Sequence, residues 1–242
     1  MEITPDNIIY FGEGAIKISA TLVFTWIIMA FIVISAVLIT RKLKMKGKVS
    51  KIQMFLETII DIMRKQLQDI MQQRPDKYLT FIGTLYLFIA VANFFSFVPG
   101  YHAPTGSLQT TSVLAGFVFL AVPIYGIMDQ GLVKYLKHYI EPSPIMLPFN
   151  VIGEFSRTLA LSVRLFGNVM SGSLIIGILL SIAPLFFPVI MEALELLIGQ
   201  IQAYIFAVLS AVYIGSATQA HEEKIENREK NISKKIEEDK NE

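Results

Sequence analysis

The chain has 242 residues, of which 53% are hydrophobic and 17% charged, a composition too apolar for an ordinary water-soluble domain and suited to a polytopic membrane protein. Its formal net charge of +1 says little, because the charges gather at 41–51, at 134–138 and in the tail after His221. With no cysteine, disulfides, thiolate nucleophiles and cysteine-based metal sites are excluded.

The first apolar run, 16–40, follows an acidic leader (Glu2, Asp6, Glu13) and is too long for a signal peptide, so it is expected to be a retained span. Arg41, Lys42, Lys44, Lys46, Lys48 and Lys51 come directly after it. By the positive-inside rule that end is cytoplasmic and the N-terminus lies outside. Segment 50–73 has another pattern. Ile52, Phe55, Leu56, Ile59, Ile60, Met63, Leu67, Ile70 and Met71 recur at helical spacing, with Glu57, Asp61, Arg64, Lys65, Gln68 and Asp69 opposite. This is an amphipathic helix, lying on the cytoplasmic membrane surface or against a soluble partner.

Pro75 separates it from a second span, 79–98, whose one strongly polar side chain, Asn93, suits an interhelical hydrogen bond. The stretch 99–111 carries no Lys, Arg, Asp or Glu and suits an external loop. A third span, 112–133, contains Pro123 as a kink and ends near Asp129; Lys134, Lys137 and His138 return the chain to the cytoplasmic side. Glu141-Pro142-Ser143-Pro144 and Pro148 cannot continue a helix. Two long apolar segments follow, 149–182 and 189–217, joined across Pro184 and Pro188. The remainder, 218–242, is a charged cytoplasmic tail, a solvated helix or disordered. The expected fold is thus an all-α polytopic membrane protein in a single membrane domain, 1–242. It has about five membrane-embedded helices, one amphipathic surface helix and a final long helical hairpin.

The last two segments are unusually polar. Arg157, Arg164, Asn168 and Ser171 fall on one helical face of the first, with Glu154 one turn before Arg157. Ala160, Ser162, Gly167, Gly172 and Ser173 keep that helix slim, so another helix can approach closely. Glu192, Glu195, Gly199 and Gln202 share a face of the second. An antiparallel hairpin brings Gln202 toward Arg164 and leaves Glu192 and Glu195 nearer the external end. Arg164 stands out: a guanidinium keeps its proton, and an arginine at bilayer depth costs about 2.5–3.5 kcal/mol on insertion scales. No acid in the chain is clearly placed at its depth, so its partner is expected elsewhere. Blander roles remain open for the others. Arg157 suits a bundle salt bridge, Glu192 the membrane interface, and Asn168 and Gln202 helix-packing hydrogen bonds.

Leu161-Ser162-Val163-Arg164-Leu165-Phe166-Gly167-Asn168, with Ile201-Gln202-Ala203-Tyr204-Ile205-Phe206 downstream, resembles subunit a of the F-type ATP synthase. The resemblance covers most of the chain. It implies a non-catalytic stator of a bacterial-type plasma membrane, beside a rotating ring of c subunits, with peripheral-stalk b subunits, the rest of the complex and lipid as partners. No cofactor, bound metal or nucleic acid is implied. Arg164 matches the family's essential stator charge, Asn168 and Gln202 match polar residues of the ion path, and Arg157 matches a basic position. Many members carry an acid where this chain has Ser173 and a histidine or small residue where it has Glu195. The ionisable group of the external path is therefore assigned to Glu195, with Ser173 as a lining residue. The N-terminal run from Thr4-Pro5-Asp6 is similar to the family's sodium-associated branch.

On this reading ions pass Glu192, Glu195, Ser173 and Asn168 on the external side and leave past Asn150, Glu154 and Ser156, with Arg164 between the two paths. H⁺ and Na⁺ both remain open as the coupling ion. The rivals are a self-contained transporter that binds an anion at Arg164, an intramembrane hydrolase and a purely structural subunit. No internal repeat favours the first. His102, His138 and His221 lie outside the spans and no H-E-x-x-H motif exists, which weighs against the second.

Overall fold

The computed structural model describes residues 9–11, 18–41, 51–73, 75–98, 100–140, 146–182 and 187–219. The acidic residues Glu2, Asp6 and Glu13 of the leader, the lysines at 42–48, the Glu141–Pro144 connection, Pro184 and the charged tail from His221 onward lie outside the described residues.

A short antiparallel pairing of β1 (Ile9–Phe11) with β2 (Ile18–Ser19) precedes the helices. Helix α1 runs Ala20–Thr40 over 21 residues, about 31 Å at 1.5 Å per residue, the thickness of a bilayer's hydrocarbon core. It sits at the margin, with only Ala20, Thr21 and Ile28 buried. Helix α2 (Lys51–Met71) buries Leu67 and Met71 against α3 and α7 and exposes Asp61, Arg64, Lys65, Gln68 and Asp69. Its apolar stripe is thus met in part by this chain's own helices. Gln72, in a left-handed conformation at φ 52°, turns the chain into α3 (Asp76–Phe94). The turn is clasped by an ion pair, Arg64 to Asp76 at 3.1 Å.

Helix α4 (Leu108–Gln130) is capped by Ser107, whose hydroxyl accepts from the Thr110 amide, and it continues through Pro123. It stops earlier than the apolar run suggests. Gly131 adopts φ 82°, open to glycine at no steric cost, and a separate short helix follows, α5 (Leu132–Ile140). The Tyr135 ring of α5 packs directly on Gly126 of α4. At this same end Asp129 takes hydrogen bonds from Lys77, at 2.9 Å, and from the Tyr78 hydroxyl, joining α3 to α4.

Helices α6 (Met146–Ile182) and α7 (Phe187–Gln219) have 37 and 33 residues, more than one perpendicular crossing needs, so they must tilt or extend beyond the hydrocarbon. Among the described residues, five helices (α1, α3, α4, α6 and α7) are long and apolar enough to cross a membrane. Helix α7 is central and packs against α2, α3, α4 and α6. One core cluster joins Leu67, Met71, Tyr78, Ile82, Ala211 and Ile214. A second joins Leu85, Ile89, Val118, Leu161, Leu165 and Phe206, where α3, α4, α6 and α7 meet. The protein is an all-α polytopic membrane protein whose last two helices form a long hairpin.

Candidate functional site

The orientation of α6 follows from what it buries. Leu161, Leu165 and Val169 recur at four-residue spacing and are buried. Ser162 sits among them, 3% exposed, with its hydroxyl 3.3 Å from that of Thr111 and 3.0 Å from that of Ser112 on α4. Small hydroxyl residues let these helices approach and satisfy one another. Fixing that face turns Val163 and Arg164 outward, where both are exposed. Arg164 has no hydrogen bond or ion pair among the described residues. Arg157, two turns earlier on the same side of α6, is exposed as well, and Val163 of α6 and Leu197 and Ile201 of α7 are apolar side chains exposed on the hairpin.

The hairpin register is set by three contacts. Gly172 meets Glu195, Leu165 shares a core with Ala203 and Phe206, and the Arg157 guanidinium lies 5.5 Å from the centroid of the Tyr213 ring. Rising numbers on α6 meet falling numbers on α7, so the two helices are antiparallel, and Arg164 falls level with 203–205. Gln202 lies a little toward the Glu195 side. No hydrogen bond joins it to Arg164, and it faces Asn168 across a cavity instead.

That cavity holds about 100 Å³ and is lined by Asn168, Ser171, Gly172, Glu195, Gly199 and Gln202, with Val169, Ile175, Met191, Leu194 and Ile198 supplying its apolar wall. A water needs about 10–15 Å³ and two to four polar partners, so the space suits several. Gln202 is 4% exposed and its Nε2 has no protein partner. A buried amide donor without a partner costs about 1–3 kcal/mol, so a mobile polar occupant suits it better than a dry wall. Glu195 reaches in because position 172 has no side chain. A Cβ there would lie 2.6 Å from the Glu195 Cδ and 2.8 Å from Oε1. Ser173 donates to the Val169 carbonyl at 2.9 Å and also meets the Glu195 carboxyl, and Glu192 lies one turn away; neither Ser173 nor Glu192 lines the cavity itself.

On the other side of Arg164 a smaller space of about 20 Å³ is lined by Glu154, Arg157, Thr158, Tyr213 and Ser216 together with Val118, Phe119 and Val122. A guanidinium over a tyrosine face is held by the ring quadrupole. Asn150 is half-buried and Ser156 exposed; neither lines this space. The sequence-stated set is thus split by the fold. Asn168, Glu195 and Gln202 meet at one cavity, Glu154 and Arg157 at another, and Arg164 lies between them on the open face. Gly172 and Gly199, marked in the sequence as a slim position of α6 and as part of the polar face of α7, both line the cavity, whereas Tyr213 joins the site only through the fold, since a tyrosine near a helix end reads as an interface residue.

Fold and site together define a polytopic helical membrane protein with a polar hairpin. The sequence pattern of the ATP synthase A chain family matches residues 22–215. The chain is 55% identical to ATP synthase subunit a 2 of Picosynechococcus sp. over 224 residues, which cover 93% of this chain and 96% of the relative. It is 54% identical over 219 residues to ATP synthase subunit a 2 of Acaryochloris marina, covering 90% and 94% of the two chains. ATP synthase subunit a of Albidiferax ferrireducens is 54% identical over 230 residues, 95% of this chain and 100% of that one. The protein belongs to the ATP synthase A chain family. It is a membrane subunit of the F-type complex and not catalytic alone, which ends the hydrolase and self-contained transporter readings.

Proposed function

We propose that this chain is the ion-translocating stator subunit that faces the c-ring, forming two half-channels separated by Arg164. The observation that carries the reading is the position of Arg164: a fixed charge, exposed and without a partner among the described residues, on α6 between two cavities lined by polar side chains. Ions enter from outside through the cavity of Asn168, Glu195 and Gln202, with Glu192 at its mouth and Ser173 beside Glu195. They bind a carboxylate on a rotor helix and travel round with the ring. They leave on the cytoplasmic side past Glu154 and Arg157, with Asn150 and Ser156 further along the same path.

Arg164 acts electrostatically. Its charge favours the ionised form of the rotor carboxylate opposite it, so the ion is released there. The same charge repels a cation attempting to pass directly from one cavity to the other. The pair has to stay loose enough to break as the ring turns, and its exposure on the open face suits that. The ion itself, H⁺ or Na⁺, is selected by the rotor carboxylate and its neighbours. Dependence of the intact complex's ATPase on Na⁺ at fixed pH distinguishes the two.

The rest of the chain fits a plasma-membrane protein of bacterial type with its N-terminus outside and its charged tail in the cytoplasm. The c-ring covers the α6–α7 face, and b subunits and lipid meet the remaining exterior. The test is Arg164→Lys in the reconstituted complex. Lysine keeps a charge but loses its proton readily when desolvated. Coupled ATP-driven pumping is expected to be lost while assembly is retained; normal pumping would overturn the role given to Arg164.

A further inference from the structure

The wall of the external cavity opposite α6 is held by a polar clamp that the ion path itself does not require. Asn93 of α3 is 3% exposed, and its Nδ2 donates to the Gly199 carbonyl of α7 at 2.8 Å. Its Oδ1 accepts from the Thr105 hydroxyl at 2.7 Å, and Thr105, in the turn before α4, is fully buried. One residue further along α7, Gln200 Nε2 donates to the Ala90 carbonyl of α3 at 2.9 Å. Gly199 lines the cavity and also lies against Asn93, since a Cβ there would come 3.0 Å from the Asn93 Cβ.

We propose that Asn93 and Thr105 form a positioning bracket that sets the rotation of α7 and so aims Glu195 and Gln202 at α6. A single bond between two helices fixes height but leaves rotation free. The residues that make these two bonds, Gly199 and Gln200, have Cα positions about 100° apart around α7, because a helix turns that much per residue. They meet α3 at Ala90 and Asn93, one turn apart, so together they fix height and rotation. Glu195, Gly199 and Gln202 share one face of α7, so holding Gly199 holds all three.

Thr105 gives the bracket its sense. An amide can present either its oxygen or its nitrogen, and a carbonyl acceptor needs the nitrogen. A hydroxyl donating to Oδ1 turns Nδ2 toward Gly199; without it the amide is free to flip and face the carbonyl with its own oxygen. Thr105 is in turn held by the external loop. There the Tyr101 hydroxyl donates to the Ala92 carbonyl at 3.1 Å, and burial pushes the Tyr101 phenol far above its usual range, which keeps it a neutral donor. Phe24 meets the Tyr101 ring edge to face, and Phe95 packs on it tilted by 52°.

The proposal rests on the half-channel reading above, so its test separates the two. Thr105→Val keeps shape and removes the hydroxyl, Thr105→Ser keeps the hydroxyl, and Asn93→Leu removes the amide. Each is made in the whole complex and reconstituted. ATP synthesis is then followed against ion concentration on the external side, alongside ATP hydrolysis by the detergent-released complex. Thr105→Val and Asn93→Leu are expected to raise the half-saturating ion concentration several-fold with hydrolysis unchanged, while Thr105→Ser behaves as the parent. A lower maximal rate at unshifted half-saturation, or no change in either variant, overturns the bracket. Glu195→Gln is measured beside them. If it shifts half-saturation and the bracket variants do not, only the bracket fails. If Glu195→Gln has no effect, the external path through Glu195 fails and takes the bracket with it.

Discussion

At the scale of single residues, the sharpest constraint in the hairpin is the contact between Gly172 and Glu195. The carboxyl group occupies the place a side chain at 172 would take, with Oε1 2.8 Å from where a Cβ would stand. The obstruction is the far end of a flexible side chain, so Gly172→Ala is expected to leave assembly and thermal stability nearly unchanged. The displaced carboxylate must then leave its position between Ser173 and the cavity. Ion uptake from outside should slow several-fold, measured as ATP synthesis at limiting external ion in reconstituted vesicles. Shortening the acid should restore part of the rate, so the pair Gly172→Ala with Glu195→Asp is expected to work better than Gly172→Ala alone. Equal rates for the parent and Gly172→Ala would mean that the Glu195 carboxyl does not act from this position.

At the scale of elements, the joint between α4 and α5 makes the same argument in a rigid setting. The ring of Tyr135, 6% exposed, lies 2.5 Å from where a Cβ on Gly126 would stand. A buried aromatic ring cannot swing aside as a carboxylate can. Overpacking of this kind costs about 1–3 kcal/mol, so Gly126→Ala is expected to lower the thermal midpoint of the purified complex, and Tyr135→Leu in the same chain should recover most of it. The joint also shows where the sequence stops being legible. Helical periodicity and loop charges give the long helices and put Arg157, Arg164 and Asn168 on one side of α6, because these are local properties of a 3.6-residue repeat. The division of the third apolar run at Gly131 is not legible, since one glycine inside an apolar stretch reads equally as packing or as an end. The bond from Asn93 to Gly199 spans 106 positions. The polarity of Asn93 signals a bond between helices, but nothing local to either residue says which helix answers.

At the scale of the whole molecule, the helices divide into a packed side and an open one. Helix α7 is enclosed by α2, α3, α4 and α6, and the two core clusters meet along it. Beyond that core, Val163 of α6 and Leu197 and Ile201 of α7 are turned outward, and so are Arg164 and, two turns before it on the same side of α6, Arg157. Lipid tails satisfy the leucine, valine and isoleucine but leave the Arg164 guanidinium without a counter-charge, at about 2.5–3.5 kcal/mol on insertion scales. A rotor helix carrying a carboxylate satisfies both. The face should therefore be covered by the ring in the assembled complex and by lipid in the isolated chain. Because the chain has no cysteine, single thiols report this directly. In Val163→Cys and Ile201→Cys, labelling by a membrane-soluble maleimide is expected to be rapid in the chain purified alone and strongly slowed in the whole complex. Equal labelling in both preparations would move the rotor contact away from α6 and α7, and with it the role of Arg164 as the charge that the rotor carboxylate meets.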